Sequence, residues 1–474
     1  MTDQEVNLLT PNALIYVVRQ LASLTGITDA DSDVSNFDAF SIPIHYCHPN
    51  KIPPKHPTLF VIPCAIDAWR KLLSLPNNTL DWLSQEWVLP PNVVLPFSDP
   101  IPILFWGAGY EDGHKPFAER LKDGTVIFYA DIIAATLFML TRWEETVTPE
   151  RDEHDRFPAT ASVAYKQGFL DRPIVDEYAL ILRAWLQVLL PNWEPQQNRF
   201  SIKLSHDIDH LQSFPNYYSA LRTLAHYTVK QPSPQRIVET LRETLVQTIA
   251  PTQTAYFKGV HMLMQLSHQF GLTNDAFYFM TAQPGRMENE YSVTFPIVKD
   301  LIKQVQSQGF EIGLHAGYNS ANNPELLKEQ RDLLATILGE IQFGGRQHYL
   351  RFRAPDTWRY WETAGLLYDA TLGYADHEGF RSGTCHRYQP FDIEQDRQIS
   401  IWEEPLIVMD GTLRSVRKMP PAQALNRIKE LAQRCQWAEG TFTLLWHNSS
   451  LSGEWRPWLQ TYWEILKHLG DLTS

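Results

Sequence analysis

A chain of 474 residues with 44% hydrophobic content is long enough to bury large cores and to divide into two or three domains. Its formal charge of −13 and pI near 5.7 leave no basic excess to neutralise phosphate, which disfavours nonspecific binding to nucleic acid or to an anionic membrane. Cys47, Cys64, Cys385 and Cys435 are scattered thiols without C-x-x-C spacing and read as structural cysteines of a reducing compartment.

The opening residues, MTDQEVNLLTPN, hold neither a positive stretch nor an apolar one, and no run of about 18 apolar residues occurs anywhere, so a cytoplasmic chain without membrane insertion is expected. Ala13 to Leu24 has helical periodicity, Thr58 to Ile62 and Ile101 to Trp106 predict buried strands, and Phe128 to Thr141 and Glu177 to Leu190 predict further helices. Two charged stretches, Arg142-Trp143-Glu144-Glu145 and Arg151 to Phe157, predict solvated or inter-domain salt-bridging loops rather than a second metal site. Pro191 and Pro195, followed by a polar tail, interrupt the helical pattern. The expected units are therefore a mixed α/β domain over 1–195 and a second domain over 200–474.

The second unit opens with FSIKLSHDIDH, in which a short apolar strand runs out at Asp207 and Asp209. Residues two apart in extended chain project to one side, so the two carboxylates can share a cation and a water molecule. A solvated polar turn fits this segment equally well. Tyr217 to Thr254 is a long helical insertion expected to lie over the strand-end face. In GFEIGLHAGYNS the apolar run Phe310 to Leu314 delivers His315, a candidate metal ligand, and a surface helix is expected over Leu326 to Leu338. HYLRFRAPDTW predicts a strand that breaks at Pro355, with Arg351 and Arg353 on one face, where a guanidinium can orient a carboxylate. The Gly- and aromatic-rich stretch Tyr368 to Thr384 is either a packed loop or a sugar-site wall in which Asp376 or His377 binds hydroxyls. Finally, Thr441 to Trp446 predicts a strand delivering His447, a candidate general acid. Four strand ends of this kind in one chain favour a site over a set of unrelated polar turns.

The order of these segments resembles the polysaccharide deacetylases, the NodB-homology or carbohydrate esterase family 4 enzymes. The family's strand-end aspartates, His-Ser/Thr-x-x-His, Arg-x-x-Pro-like segment and Leu-x-His become Asp207-Ile208-Asp209, His315 to Asn319, Arg353-Ala354-Pro355 and Leu445-Trp446-His447. Ala276 to Met280 looks like the family's second strand, and the likeness runs from about Phe200 to the C-terminus. The charged region near Arg142 and Arg151 resembles an uncharacterised domain that precedes deacetylase-like domains of a divergent type.

The resemblance implies an α/β chain whose C-terminal part is a distorted (β/α) barrel of the NodB type, preceded by a smaller mixed α/β domain. It implies a metal-dependent hydrolase that removes an N-acetyl group, or cleaves another amide, on a carbohydrate. A divalent ion, zinc or another transition metal, would be held by Asp209, His315 and Asn319. Asp207 would be the base, Arg353 would orient it, and His447 would be the general acid; Tyr318, Asp356 and Trp446 would contact substrate. Two departures matter. Ile208 separates the usually adjacent aspartates, so their roles can also be exchanged. Asn319 stands where the family has its second histidine, which suits a harder ion, with His206 and His210 as substitute ligands. The competing readings are a catalytically silent sugar-binding or scaffold protein and an amidohydrolase acting on a non-sugar C–N bond. Such a chain would meet a precursor, a lipid-linked or nucleotide-linked sugar, or a small amide.

Overall fold

The computed structural model describes residues 8–27, 44–51, 58–97, 99–111, 115–214, 217–285, 287–288 and 290–473; of the N-terminal stretch MTDQEVNLLTPN the first seven residues lie outside these. Its first part contains β1 (Ile44–Tyr46), β2 (Leu59–Val61), β3 (Asp81–Leu83), β4 (Ile101–Ile103), β5 (Ala118–Arg120) and β6 (Val126–Phe128). They form a sheet in the order β1-β2-β6-β5 and a separate antiparallel β3-β4 pair. The helix Ile132–Thr141 is apolar on every side and buried along its whole length, as a helix enclosed by its neighbours must be. The helices Pro11–Thr25 and Ile174–Leu189 pack beside it. Among the described residues no helix is long and apolar enough to cross a membrane.

The second part contributes β7 (Ser201–Ile208), β8 (Asp275–Met280), β9 (Glu311–Ala316), β10 (Gly345–Gln347), β11 (Tyr368–Asp369), β12 (Phe391–Asp392), β13 (Arg397–Gln398), β14 (Trp402–Glu403), β15 (Val408–Met409) and β16 (Thr441–Leu445). Eight of them make one parallel sheet, β14-β11-β10-β9-β8-β7-β16-β15, curled into a half-barrel; β12 and β13 form a small hairpin. Every residue of β8 is buried, as expected for a parallel strand covered on both faces. Parallel order brings the C-terminal ends of β7, β9, β10, β15 and β16 to one edge of the sheet, where their last residues can meet.

One expected strand is displaced. Leu350 to Pro355 is irregular, and the strand lies upstream in Gly345-Arg346-Gln347, which carries no apolar run for periodicity to mark. Packing explains the glycine, because a Cβ at Gly345 would stand 1.9 Å from the Leu314 carbonyl oxygen on β9. The strand ends in a tight turn at His348–Leu350, with Tyr349 and Leu350 at φ of 63° and 52°, the costly left-handed region for such side chains.

A large hydrophobic cluster runs from Ala13 to Leu469, and charged groups are buried where the two parts meet. Glu145 accepts from Arg381 Nη2 at 2.5 Å and from Arg142 Nε at 2.9 Å. Burial opposes its charge, but the two guanidiniums outweigh burial and hold its carboxyl below the ordinary range. Of the two readings of this charged stretch, solvated or salt-bridging, the buried bridge to Arg381 is the one observed. Asp176 similarly accepts from Thr384 Oγ1 at 2.6 Å and from the Cys385 amide at 2.9 Å.

Removing one partner of such a buried set leaves unpaired charge behind. Glu145→Ala is therefore expected to lower stability by about 3–5 kcal/mol in urea unfolding, through loss of the anion between two buried guanidiniums. A change below about 1 kcal/mol would show that the network contributes little.

Candidate metal centre

Asp207, Asp209, His315 and His447 line one cavity of about 970 Å³ at the C-terminal edge of the half-barrel. Parallel pairing accounts for the convergence: β7 lies between β8 and β16, β9 follows β8, and the reactive side chains stand at or just beyond strand ends. Asp207 is buried, and its Oδ1 accepts from Arg346 Nη1 at 2.7 Å. Arg346 also donates to Ser205 Oγ at 2.9 Å and to the Ala370 carbonyl at 2.8 Å, so the guanidinium is fixed from three sides. His315 Nε2 stands 3.1 Å from Asp209 Oδ1 and 3.6 Å from Asp207 Oδ2.

His348, at the end of β10, completes a group the sequence did not reveal. Asp209, His315 and His348 each offer one donor atom, all within 4.8 Å of one another. The residues fit a cation: Asp209 Oδ1 is buried and accepts no well-directed hydrogen bond although His315 Nε2 is near. His315 Nδ1 meets the Arg346 carbonyl at 3.0 Å, which places its donor there and turns Nε2 toward the aspartates. Two imidazoles with one carboxylate suit zinc or another transition ion and leave positions open for substrate.

Electrostatics agree with this geometry. Burial opposes the charge on Asp209, yet His315, His348 and His447 together hold it well below the ordinary carboxylate range. Burial likewise opposes protonation of His315, but Asp207 and Asp209 outweigh it and raise its pKa, so this corner of the cavity attracts positive charge. His348 is pushed down to about 4, chiefly by burial and also by His315, against the pull of Asp209, and it keeps its lone pairs at neutral pH. On the opposite wall His447 Nδ1 meets Asp410 Oδ1 at 2.7 Å and its Nε2 faces Asp209 Oδ2 at 3.6 Å. Burial would lower His447, but Asp410 and then the two cavity aspartates raise it to about 10, making it a proton donor at neutral pH.

Several expected roles move. Arg353 is largely exposed and pairs with Asp155 at 2.8 Å, while Arg346 is the residue that holds Asp207. The displaced strand is the cause, since β10 turns Arg346 inward and leaves Arg353 on a loop. Asn319 is exposed and its amide donates to Glu288 Oε1 at 3.0 Å, away from the donor group; His348 stands in the place foreseen for it. Of the substitute ligands, His206 is buried against the Trp446 carbonyl and His210 lines the cavity beside Glu290 at 3.4 Å. Tyr318, Asp356 and Trp446 do not line the cavity. Tyr318 lies under the Arg351 guanidinium, Asp356 pairs with Arg359, and Trp446 is buried on Tyr462. Asp376 accepts from the Ala159 amide and so belongs to a packed loop, not to a sugar wall.

The charged loop Arg151 to Phe157, to which sequence reasoning gave no chemistry, reaches this site. Arg156 lines the cavity and donates to the Tyr349 carbonyl at 2.8 Å; Arg351 donates to the His154 carbonyl at 3.0 Å. These bonds tie down the strained turn that carries His348. Asp410 was also missed, although Leu406 to Met409 followed by Asp410-Gly411 is another apolar run ending in a carboxylate. Asp176, Cys385 and His386 form a second close group, but Asp176 is already satisfied there by Thr384 and Cys385.

Residues 52–191 match the model of a family of unknown function, DUF7033. No curated protein matches the chain. A solved structure described as "putative polysaccharide deacetylase from Mycobacterium smegmatis" is similar at 15% identity and a TM-score of 0.36, covering 58% of this chain and 86% of that one.

The donor group makes a sharp distinction between two neighbours of His315. His348→Ala is expected to weaken zinc binding at least about tenfold in titration against a chromophoric chelator, whereas Asn319→Ala leaves it unchanged. The reverse pattern would restore Asn319 as the ligand.

Proposed function

We propose that the cavity is the active site of a metal-dependent hydrolase that removes an N-acetyl or other acyl group from an amide-bearing carbohydrate. The observation that carries this reading is the buried, orphaned Asp209 oxygen among His315 and His348, with a second carboxylate, Asp207, and a protonated imidazole, His447, on either side. A divalent cation held by Asp209, His315 and His348 would supply Lewis-acid polarisation of the acyl carbonyl and lower the pKa of water.

The remaining roles fall to the chain's own side chains. Asp207 accepts the proton of the attacking water; Arg346 keeps it oriented through the 2.7 Å bond. His447 donates from Nε2 to the leaving amine nitrogen, with Asp410 holding Nδ1 and stabilising the imidazolium. Each proton removed from water thus has a counterpart delivered to the amine, so the C–N bond breaks without expelling an amide anion.

A non-sugar amide is a second reading, favoured by the cavity lining. Pro284, Met287, Leu350 and Met409 supply apolar wall, and Tyr349 is the aromatic ring among the described lining residues on which a pyranose can stack.

The expected behaviour of variants separates binding from turnover. Asp207→Asn should keep the metal and lose most hydrolysis, because an amide nitrogen cannot accept the proton; His315→Ala should lose both. His447→Ala should keep the metal and slow turnover by roughly a hundredfold or more. Elemental analysis of each variant, beside acetate release from N-acetylated sugars and a panel of small amides, reads these outcomes. A metal-loaded wild type inactive on both classes would favour a binding or scaffold protein.

A further inference from the structure

We infer that the helical hairpin inserted after β7 docks the protein onto an anionic lipid surface, with the cavity rim beside the bilayer. The hairpin consists of a first arm, the helix Tyr217–Ala225 continued by the wider helical turn His226–Lys230, and a second, the helix Pro234–Ile249. Tyr217 Oη meets Thr248 Oγ1 at 2.9 Å, so the helices run antiparallel and Tyr218 lies beside the end that bears Ile249. Among the described residues nothing covers one face of the pair. Tyr218, Leu221 and Val229 on the first arm and Val238, Leu245 and Ile249 on the second are each more than half exposed. Large apolar side chains grouped in this way mark an interaction surface.

Charge selects the occupant. Although the whole chain is at −13, residues 217–254 contain four Lys/Arg and two Asp/Glu, a local balance of +2. Arg222, Lys230 and Arg242 are exposed with the apolar residues. Both carboxylates are already engaged: the partly exposed Glu239 pairs with Arg236 at 3.0 Å along its own helix, and Glu243 accepts from Ser213 and from the Ala255 amide. A second copy docked through the same face would bring these cations together, opposed only by Glu239, which is already paired with Arg236. An anionic bilayer surface takes both features: apolar side chains and a tyrosine enter the headgroup boundary, while Arg and Lys extend to lipid phosphates. The net charge, which disfavours such binding, averages over a hairpin whose own balance is +2.

Placement gives the surface a use. The hairpin follows the loop whose His210 lines the cavity. Its Tyr227 hydroxyl donates to Glu454 Oε1 at 2.6 Å, and Glu454 is also approached by Arg414, the neighbour of the cavity-lining Ser415. A protein docked by the hairpin therefore holds its cavity at headgroup level. Combined with the hydrolase reading, on which this last step rests, the substrate class is an N-acylated sugar headgroup carried on a lipid.

Vesicle sedimentation tests the docking without reference to turnover. The full chain should pellet with vesicles of phosphatidylcholine and phosphatidylglycerol in about a two-to-one ratio, bind phosphatidylcholine alone far more weakly, and dissociate in high salt. The double variant Leu221→Glu/Leu245→Glu should lower binding at least about tenfold, and Arg222→Gln/Arg242→Gln should remove the preference for anionic vesicles. Both pairs lie outside the cavity, and unchanged zinc binding and thermal midpoint verify that they fold. Wild type that stays in solution with both compositions overturns the inference, as does vesicle binding that both variants retain. A dimer that Leu245→Glu dissociates, without vesicle binding, would assign the face to a second copy instead.

Discussion

Two carboxylates at the end of one buried strand repel each other and are costly to desolvate, and the surrounding structure answers that constraint. Asp207 is answered by a permanent cation, since Arg346 reaches it from β10 and is itself held by Ser205 and a backbone carbonyl. Asp209 is answered by imidazoles from three other strand ends, His315, His348 and His447. The difference is chemically useful. A carboxylate bound to a fixed guanidinium stays oriented, whereas one surrounded by imidazoles retains an unsatisfied oxygen that an ion can take.

Such an arrangement depends on the turn that follows β10. Tyr349 and Leu350 adopt left-handed backbone there, and the bonds from Arg156 and to His154 hold the turn in place. The first part of the chain, over which the match to a family of unknown function falls, thus contributes Arg156 to the cavity lining and the clamp on the turn that carries His348. Buried pairs such as Glu145 with Arg381 keep that clamp in register with the sheet.

How much of this was legible in the sequence follows from which strands are apolar. Phe310 to Leu314 and Thr441 to Leu445 announce themselves by apolar residues recurring along a short extended run, and the histidines they deliver stand at the cavity. β10 is Gly-Arg-Gln, chosen for a close backbone approach and an inward guanidinium, so no hydrophobic pattern marks it. The sequence pattern therefore points to Arg353 and Asn319, whereas the fold brings Arg346 to Asp207 and His348 to the cavity. The same logic explains the apolar hairpin. Helical periodicity over Tyr217 to Thr254 is plain in the sequence, but periodicity alone does not tell a buried face from an exposed one, and here the apolar stripe faces outward.

The account rests on a cation site made by Asp209, His315 and His348, and anomalous diffraction from crystals soaked in zinc measures it directly. The predicted result is one strong peak within about 2.0–2.3 Å of a carboxylate oxygen of Asp209 and a nitrogen of each histidine, with Asp207 ion-paired to Arg346 and not bound to the metal. No peak there at saturating zinc, or a peak only at Asp176, Cys385 and His386, would contradict it.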